Sequence, residues 1–160
     1  MKEKKIKKIF KQMIGLRVRN VKQGHGSFLT MDFGEDIYPK LETNKGIKIL
    51  KRGEWYLWIH MCSWRIDEKL KPIAGCEDSR NTIERALKKI ENEKLMSIEI
   101  LTLAYDMQIK FENEITINLF SIYTEKESEA EQWMLFTPEN KVFSAGPGEI
   151  VTYEDAGATL

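Results

Sequence analysis

Residues 5–21 read KIKKIFKQMIGLRVRNV, and residues 82–98 read TIERALKKIENEKLMSI. Both stretches begin with apolar residues at helical spacing and continue with apolar residues at strand spacing. A pattern that returns in the same order at a constant separation is typical of an internal repeat. The matching positions, about 77 residues apart, are Ile6, Ile9, Phe10, Met13, Val18 and Val21 in the first stretch and Ile83, Ala86, Leu87, Ile90, Leu95 and Ile98 in the second.

The repeat predicts two amphipathic helices over residues 3–14 and 80–91, the first stopped by Gly15. Strand-like alternation follows each helix, over residues 29–33 and 107–111. A Trp-x-Leu pair also recurs, with Trp55 matched to Trp133. We therefore predict an α+β fold: a duplicated helix-plus-antiparallel-strands unit, packed around a shared core. The predicted units are residues 1–76 and 77–160, as one compact domain or two closely packed halves.

Finer features of the pattern place turns and loops. Residues 55–59 are apolar on both faces, which predicts a central strand. By correspondence with the break at residues 137–140, residues 60–63 are predicted to form a hairpin turn. Residues 34–46 and 67–79 contain proline and glycine and are predicted to be a loop and a linker.

Composition limits the cellular context. The chain has 160 residues, 42% of them hydrophobic, which is enough for a globular core. Lysines interrupt the apolar residues near the N-terminus, so no secretory signal is expected, and no apolar run is long enough to cross a bilayer. Two cysteines fit a reducing compartment. These features predict a cytoplasmic protein.

Charge is distributed unevenly although the formal net charge is zero. Residues 1–53 are strongly basic and residues 112–160 strongly acidic. One interpretation is that the two ends attract each other inside the molecule, and the other is that one end presents a charged surface to a partner. The basic first helix is the only feature in favour of nucleic-acid or membrane binding, and its mixed-charge repeat partner favours a solvated face instead. We expect neither ligand.

The loop at residues 24–27 is the clearest candidate for a small-ligand site. Glycines that flank a histidine permit close approach of a ligand, although a simple hairpin connection explains them equally. The residues are Gly24, His25, Gly26 and Ser27. Together with His60 and Cys62 they form our alternative hypothesis, an enzyme or small-ligand-binding protein.

His60 and Cys62 offer two kinds of chemistry. Cys62 would act as a nucleophile if His60 lowered its pKa, but a buried cysteine packed between tryptophans is the simpler expectation. A metal site is not expected, because the histidines and cysteines match no zinc spacing. We therefore predict no catalytic residue, no metal site and no cofactor.

An acidic run lies near the middle of the second unit. Four glutamates at alternate positions present carboxylates to solvent and suit a protein partner with a basic surface. Solvation alone is the competing explanation. The residues are Glu125, Glu127, Glu129 and Glu131.

The C-terminal part carries one family resemblance. Its pattern is Glu131-x-Trp133-x-Leu135-x-x-Pro138-x-Asn140-x-Val142, followed by Gly146-Pro147-Gly148. This pattern resembles the ending of small bacterial β-rich proteins, some of which are associated with immunity in polymorphic-toxin systems. Asn140 stands where such endings often have glycine. The resemblance covers a hairpin and assigns no functional residue.

Together these features predict a non-catalytic bacterial protein-binding protein. An immunity-type inhibitor of a toxin is the form that the resemblance implies. The sequence predicts no partner identity and no oligomeric state.

Overall fold

The computed structural model describes residues 2–101, 104–126 and 129–158, and most of them lie in β-strands. Two α-helices and thirteen strands are present in this part of the chain. The predicted α+β class is therefore wrong: the fold is mostly β, with three sheets. The physical reason is that strands also form within residues 34–46 and 67–79, which were expected to be loop and linker.

The helices are α1 (Lys2–Met13) and α2 (Arg80–Ile90), close to the predicted bounds. A short 3-10 helix covers Ala156–Ala158. The strands are β1 (Val18–Gln23), β2 (Leu29–Ile37), β3 (Lys40–Thr43), β4 (Gly46–Ile49), β5 (Arg52–Ile59), β6 (Cys62–Glu68), β7 (Lys71–Gly75), β8 (Leu95–Ile100), β9 (Met107–Phe111), β10 (Ile115–Ser121), β11 (Trp133–Phe136), β12 (Lys141–Ala145) and β13 (Val151–Asp155).

Two large antiparallel sheets form the body of the molecule. The six-stranded sheet has the order β1-β2-β5-β11-β12-β13, and the five-stranded sheet has the order β7-β6-β10-β9-β8. The hairpin β3-β4 forms a separate sheet between β2 and β5 along the chain. β5 is a central strand, as predicted, because it pairs with β2 on one side and β11 on the other.

Each large sheet contains strands from both halves of the chain. The chain leaves the six-stranded sheet after β5 and enters the five-stranded sheet at β6; it returns between β10 and β11. The two halves of the chain therefore contribute strands to each other's sheets. The predicted boundary near residue 76 falls between β7 and α2, and the division into two units stays a prediction.

The core lies where both helices and the inner faces of both sheets meet. Strand alternation sends every second side chain inward, and the apolar stripes of α1 and α2 join the same cluster of buried residues. Burying one Leu, Ile or Phe side chain contributes about 1.5–3 kcal/mol. The largest fully buried side chains include Trp133, Phe33, Phe143, Ile6, Met13 and Ile83.

Trp64 on β6 and Trp133 on β11 occupy corresponding positions in the two large sheets. Trp64 Nε1 donates to the carbonyl of Ser27, two residues before β2, at 2.7 Å. Trp133 Nε1 donates to the carbonyl of Tyr105, two residues before β9, at 3.0 Å. The predicted match of Trp55 with Trp133 is therefore wrong. Trp55 lies on β5, the strand with which β11 pairs. Trp64 lies on β6, at the position in the five-stranded sheet that Trp133 has in the six-stranded sheet.

The segments that follow the two helices also bond to each other reciprocally. Gly15 N donates to the carbonyl of Leu95, and Asn92 N to the carbonyl of Val18, both at 2.8 Å. Gly15 and Asn92 both have positive φ, which lets the chain leave each helix in the left-handed conformation. None of the helices in the described ranges is long and apolar enough to span a bilayer.

Candidate functional site

The loop at residues 24–27 connects β1 and β2 and is held by its own backbone oxygens. Each of its four carbonyls accepts a hydrogen bond; the donors are Arg80 NH2 to Gly24, Phe28 N to His25, Gln23 Nε2 to Gly26 and Trp64 Nε1 to Ser27. Gly26 has φ +57°, which glycine adopts without strain. The loop is a hairpin connection, and its fixed shape holds His25 exposed at the surface.

A cluster of rings lies beside this loop. The Phe28 ring centroid is 4.4 Å from that of His60, and the Trp58 centroid is 4.9 Å from that of His60. His25 meets the edge of Phe28 at 6.2 Å. We call these four residues, His25, Phe28, Trp58 and His60, the histidine-aromatic cluster. The cluster joins two regions that the sequence predicted separately, the loop and His60.

The acidic segment reaches the same place through its backbone. His60 Nδ1 lies 3.1 Å from the carbonyl oxygen of Glu131. Because a carbonyl only accepts, this contact requires the proton on Nδ1 and leaves Nε2 as the acceptor of the neutral ring. Met61 N also donates to Glu131, and His60 N donates to Gln132. The acidic segment is thus fixed against the turn between β5 and β6.

The glutamates of the segment differ in their exposure. Glu125 and Glu129 are exposed, and Glu131 is half-buried. Glu127 lies outside the described residues. We call the histidine-aromatic cluster together with Glu131 the end surface, because it lies at the end of the six-stranded sheet where Leu29, Ile59 and Trp133 are paired. Glu125 and Glu129 precede Glu131 in the same acidic segment.

Cys62 does not belong to the end surface. Its side chain lies in the core, and burial, followed by the proximity of Cys76 and Asp106, raises the pKa of its thiol to about 12. His60 instead packs its ring against Phe28 and Trp58. The predicted pairing of His60 with Cys62 is therefore not formed. The predicted hairpin turn over residues 60–63 is also wrong, because Cys62 and Ser63 belong to β6, and β5 and β6 lie in different sheets and do not pair. The thiol lacks the lowered pKa that a nucleophile needs.

Metal-binding geometry is equally missing from the described ranges. No group of three or more His, Cys, Asp or Glu residues in residues 2–101, 104–126 and 129–158 converges on a point. The end surface brings together two imidazoles, two aromatic rings and the backbone of the acidic segment.

Within the described part of the chain, no ion pair joins its basic and acidic ends. Side chains that the structure describes form five ion pairs, and none of these joins residues 1–53 to residues 112–160. Where the two ends meet, Lys5 lies 3.8 Å above the ring of Tyr153, and Lys2 Nζ donates to the carbonyl of Val151. Within the described ranges, Glu129 and Glu131 form no ion pair.

Sequence reasoning missed Phe28 and Trp58. The signal was the period of two in β5, where Trp55, Leu57 and Ile59 are buried in the main core. Tyr56 and Trp58 are half-buried on the opposite face, against a smaller apolar cluster that includes Met134 and Phe136. Reading the strand as apolar on both faces concealed this division. The proximity of Glu131 had no local signal, since residues 60 and 131 meet only because β11 returns beside β5.

No protein-family model, no curated protein and no solved structure matches the chain.

Proposed function

We propose that this chain is a non-catalytic protein-binding protein that recognises a basic partner surface with its end surface. One observation carries the proposal: the contact of His60 with both Phe28 and the backbone of Glu131, which holds the acidic segment beside the aromatic rings. A cytoplasmic location belongs to the proposal. The immunity-type role implied by the C-terminal resemblance is the form of it in which the partner is a toxin.

The chemistry of the end surface fits arginine and lysine side chains. A guanidinium or ammonium group over an aromatic face gains about 0.5–2 kcal/mol, and Phe28 and Trp58 offer such faces because both are half-buried. Exposed carboxylates add little affinity but accelerate encounter with a positively charged surface. Aromatic residues surrounded by a polar rim are typical of binding hot spots.

The enzyme alternative receives less support. It relied on the loop at residues 24–27 acting together with His60 and Cys62, and the thiol of Cys62 is withdrawn into the core with a raised pKa. The loop carbonyls are also occupied by internal donors.

The test begins with affinity capture from the native host, followed by binding kinetics with the captured protein. We expect Glu125→Lys/Glu129→Lys/Glu131→Lys to slow association, because exposed charges mainly steer encounter. Association of the wild type should also become slower at higher salt, because charges are screened over about 8–10 Å near physiological ionic strength. Phe28→Ala should instead speed dissociation, because a packed contact is lost.

Matched controls lie on the rest of the surface. Glu112→Lys/Glu114→Lys/Glu139→Lys reverses three exposed glutamates away from the end surface, and Phe120→Ala removes a ring that is 63% exposed on the five-stranded sheet. Neither control should change binding. Equal effects of control and test variants, or kinetics insensitive to both, would contradict the proposal.

A further inference from the structure

Two grooves lie between a helix and an edge strand, one in each half of the molecule. The first, about 270 Å³, separates α2 from β1 and is lined by Val21, Leu87 and Glu91 among others. The second, about 470 Å³, separates α1 from β8. Its apolar lining is Phe10, Ile14, Met96, Ile98 and Ile100, and its charged lining is Lys7, Lys11 and Glu99. β1 and β8 are edge strands of the two large sheets.

The edge of β1 is closed by the residue that follows α2. The carboxylate of Glu91 accepts hydrogen bonds from Asn20 N and Val21 N, both at 2.9 Å. These amides lie at an irregularity in β1, between the pairs formed by Arg19 and Lys22. An edge whose amides are occupied by a carboxylate does not accept another strand.

The edge of β8 has no such closure. The residue that follows α1 is Ile14, which has no carboxylate and is 44% exposed. Leu101 N donates to Asp106, and paired residues in an antiparallel ladder alternate between bonded and non-bonded. The amides of Ile98 and Ile100 therefore face away from β9, and within the described residues no side chain bonds to them.

Two lysines and one glutamate, Lys7, Lys11 and Glu99, line the groove beside this open edge, so its charge is net positive. α1 contains six lysines and one glutamate, KEKKIKKIFKQM, and neither Lys7 nor Lys11 forms an ion pair with a described residue. An extended segment laid along β8 would place alternate side chains against the apolar floor of the groove and bring its other charges close to these lysines. Acidic residues are the complement.

We propose that the β8 edge binds an extended acidic segment of a partner protein, which adds as a further strand to the five-stranded sheet beside α1. Main-chain hydrogen bonds to Ile98 and Ile100 would hold the segment, alternate apolar side chains would enter the groove, and Lys7 and Lys11 would select acidic residues. This is recognition by strand addition. It is independent of the end surface, which lies on the other sheet and attracts the opposite charge.

The test uses fluorescent peptides with a central stretch as long as β8, six residues, in which glutamate alternates with valine, isoleucine, leucine or phenylalanine. We expect saturable binding by anisotropy, together with slower hydrogen exchange at the amides of Ile98 and Ile100. Peptides with lysine in place of glutamate, or with N-methylated backbone amides, should bind at least about tenfold more weakly.

Ile14→Glu is the decisive variant, because it places a carboxylate where Glu91 stands in the other groove. Ile14 is partly exposed, so the variant should fold, which circular dichroism and the unchanged exchange of Val21 would confirm. It should weaken acidic-peptide binding by about tenfold or more, and Ile14→Leu should not.

Three results would overturn the proposal. They are no binding by any acidic peptide, equal binding by Ile14→Glu, and protection of amides away from β8. Concentration-dependent protection of Ile98 without peptide, together with a dimer in sedimentation, would identify a second copy of this chain as the occupant and would also overturn it.

Discussion

The edges of β1 and β8 are both flanked by a helix, but only the edge of β1 is closed by a side chain. Glu91 follows α2 and binds two amides of β1, whereas Ile14 follows α1 and leaves the amides of β8 open. Both grooves share backbone geometry, including the reciprocal bonds of Gly15 and Asn92. One residue immediately after each helix therefore separates a closed edge from an open one.

β6 and β11, the strands that carry Trp64 and Trp133, also share a backbone position but differ in a neighbouring side chain. Trp64 and Trp133 make equivalent indole hydrogen bonds, yet two residues before them stand Cys62, which is buried, and Glu131, which is half-buried at the end surface. The shared backbone plan positions the tryptophans in both sheets. The residue two positions before each tryptophan makes the difference: Cys62 is buried in the core, and Glu131 contributes to the end surface.

The largest expected effect tests whether the two tryptophans are equivalent. Trp64→Ala and Trp133→Ala should each destabilise the fold by about 3–5 kcal/mol, because each removes a ring that is 3% or 0% exposed and leaves a carbonyl without its donor. Chemical denaturation measures both. A large loss for one and a small loss for the other would break the equivalence.

A comparably large effect in chemical reactivity separates the two cysteines. The pKa of Cys62 is raised from 9.0 to about 12, so its thiolate population near neutral pH is about a thousandfold below that of an ordinary thiol. Native alkylation followed by peptide mapping should modify Cys76, which is half-buried, well before Cys62. Because the pKa of Cys62 is raised, its reactivity should increase only as the pH approaches that value. Rapid modification of Cys62 near neutral pH would restore the nucleophile hypothesis.

Local periodicity predicted the local elements. The apolar stripes at Ile6 and Ile83 predicted both helices, and the break at Pro138 and Asn140 predicted the β11-β12 hairpin; Asn140 adopts φ +58° in that turn. The loop prediction for residues 34–46 failed because a proline at position 39 lies between two strands, and the alternation beyond it forms the β3-β4 hairpin.

Long-range features were beyond the reach of the sequence pattern. The match of Trp55 with Trp133 followed from similar spacing along the chain, but the pairing of β11 with β5 and of β6 with β10 depends on which sheet each strand enters after its turn. The candidate site shows the same limit. His25, His60 and Glu131 were each singled out, but the pairing of β2 with β5 brings the loop to His60, and the return of β11 beside β5 brings Glu131 there.

Native-state amide hydrogen exchange at Val21 and Ile98 tests the difference between the two edges most directly. The amide of Val21 should be protected, because it donates to Glu91, and the amides of Ile98 and Ile100 should exchange much faster because they face solvent at an open edge. Glu91→Gln should retain part of the protection at Val21, Glu91→Ala should remove it, and neither should alter Ile98. Equal protection of Val21 and Ile98 in the wild-type monomer would contradict the account, because the β8 edge would then be closed as well.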